Sequence, residues 1–357
     1  MVSEKFKKNL IIIGCGKRVR QTILPSLHTI KEVNLKSILS KNEKTVFYYF
    51  NNRKYNLHTN KINGFNFNNV DYIYLGIPNN QILKTLLKII KLTDPSKINL
   101  LVDTPPVGLN NIFNISIFKK FKTCSVIEES PFTPEFLKIN NLEEVKHIKK
   151  IEKIMYFHSG YMYHSFSQIK KLFKLNYFNF IHKNKTSRFT EEIKIYNGFN
   201  NIAVIYNPRD YSIGRYLITY SDGYINNYNL KIKNKDFNKS INIKHNHDNA
   251  FYYGFDILQD NEVISSYQTE FKYNLNSDES IQSQIHMILK EIGVRDYLIR
   301  LFEDKIYEYK KPYTIIESTY DYICTKLINK YGLFFDIKIP FLKKSIFLLF
   351  LEFFYNL

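Results

Sequence analysis

Apolar residues take two different textures along the chain. Over the first third they come as short continuous runs: LIIIG (10–14), VNLKSILS (33–40), DYIYLGIP (71–78), INLLVDTPP (98–106) and CSVIEES (124–130). Each is bounded by Gly, Pro, Ser or a charge, and such runs predict buried strands. Between them, VRQTILPSLHTI (19–30) has helical spacing, and NQILKTLLKIIKL (80–92) has apolar residues at 82, 83, 86, 87, 89 and 90, one face of an amphipathic helix. Strands alternating with helices predict a parallel sheet with right-handed crossovers and helices on both faces.

From about residue 150 the runs become richer in Tyr, Ile and Val. EKIMYFHS (152–159), EEIKIYNGF (191–199), NIAVIYNP (201–208), GRYLITYSDGYINNYNL (214–230) and VISSYQTEFKYN (263–274) read as strands, and NG, NPRD and SDG separate several of them as turns. This predicts an open, mainly antiparallel sheet. Helical spacing returns at ESIQSQIHMILKEIG (279–293) and IIESTYDYICTKLINKYG (315–332), predicting flanking helices. The expected division is a Rossmann-type nucleotide-binding domain over 1–125 and a β-sheet domain for substrate and oligomerisation, with closing helices, over 126–357. The Asn- and Lys-dense stretches 41–69 and 226–249 read as loops. No internal repeat is visible.

A length of 357 residues suits two domains, and 44% apolar residues suffice for sizeable cores. The net charge of +18, from 51 basic and 33 acidic residues, has two readings. One is an anionic partner; the other is the Lys, Asn, Ile, Tyr and Phe usage that AT-rich codons impose. The basic residues are scattered, which argues against nucleic acid. Cys15, Cys124 and Cys324 are far apart and form no CxxC, which suits a reducing cytoplasm and neither a disulfide framework nor a zinc site. No signal peptide or spanning helix is expected. The C-terminal KKSIFLLFLEFFYNL reads as a helix packed on the body or on a second subunit, with contact to a membrane surface as the lesser alternative.

The sequence Gly14-Cys15-Gly16-Lys17-Arg18-Val19 follows a strand and opens a helix. There a G-x-G turn brings backbone N–H groups to a pyrophosphate at a helix N-terminus. Val19 stands where a small residue usually allows close helix–strand packing, so crowding is expected. The second strand ends Leu39-Ser40-Lys41, with no carboxylate for an adenosine ribose until Glu43. A hydroxyl and an ammonium suit a 2′-phosphate, favouring NADP over NAD. Otherwise Ser40-Lys41 is only a loop.

Four segments in order, LIIIGCGKRVRQTILPSL, YIYLGIPNNQILKTLLKII, NLLVDTPPVGL and VIEESPFTPEF, resemble the Gfo/Idh/MocA oxidoreductases over about residues 9–140. SIGRYLITYSDGYI (212–225) is similar to a strand of that family's second sheet. The resemblance implies a sugar or cyclitol dehydrogenase fold with NADP or NAD lined by Gly14, Gly16, Lys17, Arg18, Ser40, Lys41, Ile77, Pro78, Asn79, Asp103 and Pro105. In the family the strand matching LLVDTPP ends Glu-Lys-Pro at the nicotinamide. Here Asp103, Thr104 and Pro105 take those places, so the ammonium is replaced by a hydroxyl, a poor acid or base near neutrality.

The family's second motif is an Asp followed four residues later by a His. It matches Gly160 and His164 in SGYMYHSFSQIKKLF (159–173), without the carboxylate. The resemblance implies that His164 takes the substrate proton, with Tyr161 or Tyr163 as hydrogen-bonding neighbours and Thr104 beside substrate; otherwise His164 is a structural histidine. Glu128 and Glu129 follow a strand at the implied cleft, one expected to face it and the other solvent, and the resemblance implies Glu129 on the substrate side. His245-Asn246-His247-Asp248 lacks a third well-spaced ligand, and no metal is expected. The implied reaction moves hydride between NAD(P) and a sugar or nucleotide-sugar hydroxyl or keto group, in a homo-oligomer joined through the second sheet. The alternative is a descendant that lost the chemistry and binds a sugar or nucleotide, or scaffolds a partner enzyme. Val19, Thr104 and Gly160 point that way.

Overall fold

The computed structural model describes residues 7–51, 53–144, 148–158, 162–185, 191–206, 215–227, 239–276, 280–302, 313–339 and 344–357. The chain divides into two compact units, each described by itself. The first comprises 1–129, 291–323 and 347–357, and the second 130–290 and 324–346.

The first unit is built on a seven-stranded sheet: β1 (Lys8–Ile13), β2 (Val33–Ser40), β3 (Lys44–Phe50), β4 (Arg53–Lys61), β5 (Tyr72–Leu75), β6 (Asn99–Asp103) and β7 (Thr123–Ile127). Their spatial order is β3-β4-β2-β1-β5-β6-β7, and all neighbours are parallel except β3 and β4. β1, β5 and β6 are continuous apolar runs because a parallel sheet is covered on both faces; Ile11, Ile12, Ile73, Leu75, Leu100 and Val102 are fully buried. Each such side chain stabilises the fold by about 1.5–3 kcal/mol.

The helical run 17–28 contains a π-helical turn, Val19–Ile23, followed by α1 (Leu24–His28). Pro25 explains the widened turn. It lacks an N–H and its ring crowds the carbonyl four residues back. Ser26 Oγ donates to Thr22 O at 2.7 Å and satisfies one carbonyl there. Helix α2 (Asn79–Leu92) buries Ile82, Leu86 and Ile89 on one stripe, as its spacing predicts.

The stretch 41–69 is loop only at its two ends. It holds the hairpin β3–β4, placed at the sheet edge where a crossover helix is usual. KTVFYYF alternates with period two: Val46 and Tyr48 are buried while Phe47 and Tyr49 are exposed. Its inner face packs on α1, where His28 Nδ1 lies 2.9 Å from Tyr48 Oη and the Tyr48 and Tyr55 rings stack at 5.3 Å.

Segment 291–323 joins this unit through β7. Val126 N–H donates to Tyr313 O (2.9 Å), Tyr297 Oη donates to Val126 O (2.8 Å), and Tyr313 N–H donates to Tyr297 Oη (3.2 Å). Phe354 and Tyr355 at the C-terminus pack on the same core, with Phe354 edge-on to Phe113 at 4.9 Å. Those segments lie beyond a division at 125/126, and no local pattern marks their return to the first sheet.

The second unit contains helix α3 (Pro134–Glu144), strand β8 (Ile151–His158), helix α4 (Met162–Leu172) and strands β9 (Phe180–Lys185), β10 (Glu191–Asn197), β11 (Asn200–Tyr206), β12 (Arg215–Tyr220), β13 (Gly223–Asn226), β14 (Lys239–His247), β15 (Phe251–Gln259), β16 (Glu262–Asn274) and β17 (Leu333–Phe335). Their order is β16-β15-β14-β13-β12-β8-β11-β10-β9-β17. Neighbours are antiparallel except β8 with β11 and β13 with β14. Thus 239–247, expected as loop, is a strand, while 228–238 lie outside the described residues. Three further helices close the chain: α5 (Ile281–Phe302), α6 (Ile315–Tyr331) and α7 (Ile346–Asn356). Among the described residues no helix is long and apolar enough to cross a membrane.

Candidate nucleotide-binding site

The turn after β1 is shaped by its two glycines in different ways. Gly14 has φ +106°, and a Cβ there would lie 2.3 Å from the carbonyl oxygen of Gly76. Its N–H donates to Leu39 O at 2.8 Å, so the turn is fixed to the end of β2. Only glycine fits this position. Gly16 is the opposite case: a Cβ there would meet nothing within 4 Å. Val19 does not crowd its surroundings as expected. It is fully buried against Gly76, where a Cβ would lie 2.4 Å from Val19 Cγ2. The close approach is kept, with the missing side chain moved to the end of β5.

Arg18 leaves this turn toward the carboxyl ends of the neighbouring strands. Its guanidinium donates to both oxygens of Glu129, at 2.8 and 2.6 Å, and its Nε lies 3.5 Å from Asp103 Oδ1. Burial works against the cation, but the carboxylates of Glu129 and Asp103 outweigh it and hold Arg18 firmly charged. Glu129 is 1% exposed, and Glu128 beside it is fully buried, so neither faces solvent. The buried Tyr74 hydroxyl belongs to the same cluster. Burial first, then the Asp103 carboxylate, push its pKa well above the ordinary value. The cluster brings together a turn, β5, β6 and the residues after β7.

Thr104 Oγ1 donates to Ile127 O at 2.9 Å, so the hydroxyl in the lysine's place ties β6 to β7. The Thr104–Pro105 bond is cis. Ile77 and Pro78 follow β5, with Ile77 Cγ2 2.8 Å from where a Gly14 Cβ would lie, and Asn79 Nδ2 donates to Tyr322 Oη at 3.4 Å. At the end of β2, the Ser40 hydroxyl donates to Asn42 O and lies 2.9 Å from Thr59 Oγ1, while Lys41 and Lys17 are exposed. Ser40 is thus already bonded within its turn, and Lys41 is the freer of the two toward an anion.

In the second unit, His164 lies in the first turn of α4, half-buried, with the Tyr163 ring 4.5 Å away. Tyr161 and Gly160 lie outside the described residues. His245 is on β14 rather than in a loop. Its Nε2 is 3.1 Å from Glu135 Oε1, and Tyr216 Oη donates to Glu135 Oε2 at 3.0 Å. Burial and the Glu135 carboxylate raise the Tyr216 pKa. This is a buried polar staple between α3 and the sheet. Sequence reading missed Tyr74 altogether and did not pair Arg18 with Glu129. The available signal was a cation in a turn with acids ending two nearby parallel strands.

The residues fit a nucleotide's pyrophosphate on two observations. The space before Gly16 is open at the start of the helical run, and the backbone is drawn close at Gly14.

No protein-family model matches the sequence, and no curated protein is significantly similar to it. Solved structures do share its fold. Myo-inositol 2-dehydrogenase from Lactobacillus plantarum superposes with a TM-score of 0.60 at 10% identity, covering 92% of this chain and 99% of that one. A super-repressor mutant of Gal80p from Saccharomyces cerevisiae gives 0.58 at 9% identity, covering 92% and 98%. UDP-N-acetylglucosamine 3-dehydrogenase GnnA from Acidithiobacillus ferrooxidans gives 0.53 at 7% identity, covering 91% and 97%. The chain therefore has the two-domain fold of these structures, a Rossmann-type sheet and a larger, mainly antiparallel one, and its structural neighbours include oxidoreductases of the Gfo/Idh/MocA type.

Proposed function

We propose that this protein is an NAD(P)-dependent oxidoreductase acting on a hydroxyl or keto group of a sugar or nucleotide-sugar. The observation that carries the reading is the turn itself: Gly14 in a conformation reserved for glycine, and Gly16 facing open space at the start of a helical run. Two of the structural neighbours are named as dehydrogenases of a cyclitol and of a nucleotide-sugar. A nicotinamide cofactor held here would accept or supply the hydride. His164 takes or returns the hydroxyl proton, a task that suits an imidazole near neutrality. Thr104 donates its own proton to Ile127 O, which leaves its oxygen lone pairs for a substrate hydroxyl. The same reading makes the protein a cytoplasmic homo-oligomer assembled through its second sheet.

Titration of the purified protein with NADH and NADPH tests the cofactor. Lys41, exposed at the end of β2, favours the 2′-phosphate, so NADPH binds about tenfold more tightly. Lys41→Asp reverses the order. Equal affinities for the two cofactors in the wild type would contradict the assignment.

A second reading keeps the fold without the chemistry. The Arg18–Glu129 ion pair favours it, because it lies across the strand ends where a ligand is expected. Gal80p shows that this fold also occurs in a protein described by its repressor phenotype. Binding of neither cofactor at millimolar concentration would favour this second reading.

A further inference from the structure

In a doubly wound sheet, a dinucleotide lies across the carboxyl ends of the strands at the point where strand order reverses. Here that point is between β1 and β5. The turn after β1 and the end of β2 serve the adenosine half, leaving the ends of β5, β6 and β7 for the nicotinamide half. That second half is where Arg18 lies. Its guanidinium is forked onto Glu129, two residues past β7, and reaches Asp103 at the end of β6. Tyr74 of β5 completes the cluster. A bidentate guanidinium–carboxylate pair is strong and directional, and with Glu129 only 1% exposed it is shielded from water.

Resting on the nucleotide-binding reading above, we propose that Arg18 is a gate. Its ion pair with Glu129 and Asp103 covers the nicotinamide half of the crevice, so the protein takes the adenosine half of a dinucleotide by default and admits the nicotinamide ring only when the pair opens. Arg18 is 27% exposed and sits on a turn bordered by open space at Gly16, so its side chain has solvent to swing into. Glu129 and Asp103 then face the ring, and a protein whose competent state is rarely populated binds with an apparent affinity lowered by that fraction.

The test measures binding of ADP and NADH and the emission of the nicotinamide ring. In the wild type, NADH binds within about threefold of ADP, with emission like that of free NADH, because the ring adds little while the gate is shut. Arg18→Met combined with Glu129→Gln removes both charges of the fork and leaves the Asp103 carboxylate, 21% exposed, to water. In that variant the ratio of NADH to ADP affinity rises on the order of tenfold, with enhanced emission. A cooperative melting transition close to that of the wild type reports that the variant is folded. Arg18→Lys keeps the charge but not the fork and shows a smaller gain in the same direction.

NADH binding far tighter than ADP in the wild type, with a ratio that neither variant alters, would overturn the gate and leave the nucleotide reading standing. Absence of ADP and NADH binding in the folded wild type would overturn both.

Discussion

Gly14→Ala destabilises the first unit by about 2–5 kcal/mol, combining the strain of a side chain at φ +106° with the clash of its Cβ on the Gly76 carbonyl. Neither can be relieved cheaply. The opposing atom is backbone, and the Gly76 N–H is itself held by Ile13 O at 2.9 Å. Gly14 N–H is bonded to Leu39 O, so relaxation pulls on three strands at once. Denaturant unfolding measures the loss. A change below about 0.5 kcal/mol, the size expected of an indifferent surface position, would show that the turn is not held as described.

The second large effect concerns the proton. His164→Asn lowers turnover by about 10²–10⁴-fold, the usual contribution of a positioned acid or base. Asn keeps a polar, hydrogen-bonding side chain in the first turn of α4. The Ser167 hydroxyl bonds to the His164 main-chain carbonyl at 2.7 Å, and that atom is untouched by the substitution. The expected result is a fall in kcat with little change in KM. Unchanged kcat on a substrate the protein turns over would assign His164 a structural role and move the acid or base elsewhere.

The centre of the first sheet was legible because β1, β5 and β6 are buried apolar runs with sharp ends. A run such as LIIIG ending in a G-x-G, or LLVD ending in two prolines, carries its own boundary. β3 was hidden by composition: KTVFYYF alternates plainly, but it sits within Asn- and Lys-rich neighbours that read as loop. β14 was obscured in the same way. The return of 291–323 to the first unit depends on hydrogen bonds between Tyr297, Tyr313 and Val126, which no local pattern announces. The candidate site divides similarly. Gly14 and Gly16 are readable because their spacing and setting dictate a backbone shape. Arg18 and Glu129 are 111 positions apart, and their pairing exists only because parallel strands gather their carboxyl ends. Val19 was misjudged because the room for it is made by Gly76, a residue on another strand.

The turn after β1 is the proposed seat of a nucleotide's pyrophosphate, and Gly16→Asp probes it at the residue that faces open space. A side chain at this position meets open space, so the variant folds with an unchanged melting temperature. Beside the proposed phosphates its carboxylate would make a like-charge contact costing several kcal/mol, on the order of a hundredfold or more in affinity. Gly16→Asp is expected to melt like the wild type and to lose binding of ADP, NADH and NADPH together. Wild-type affinity for these nucleotides in the folded variant would contradict it.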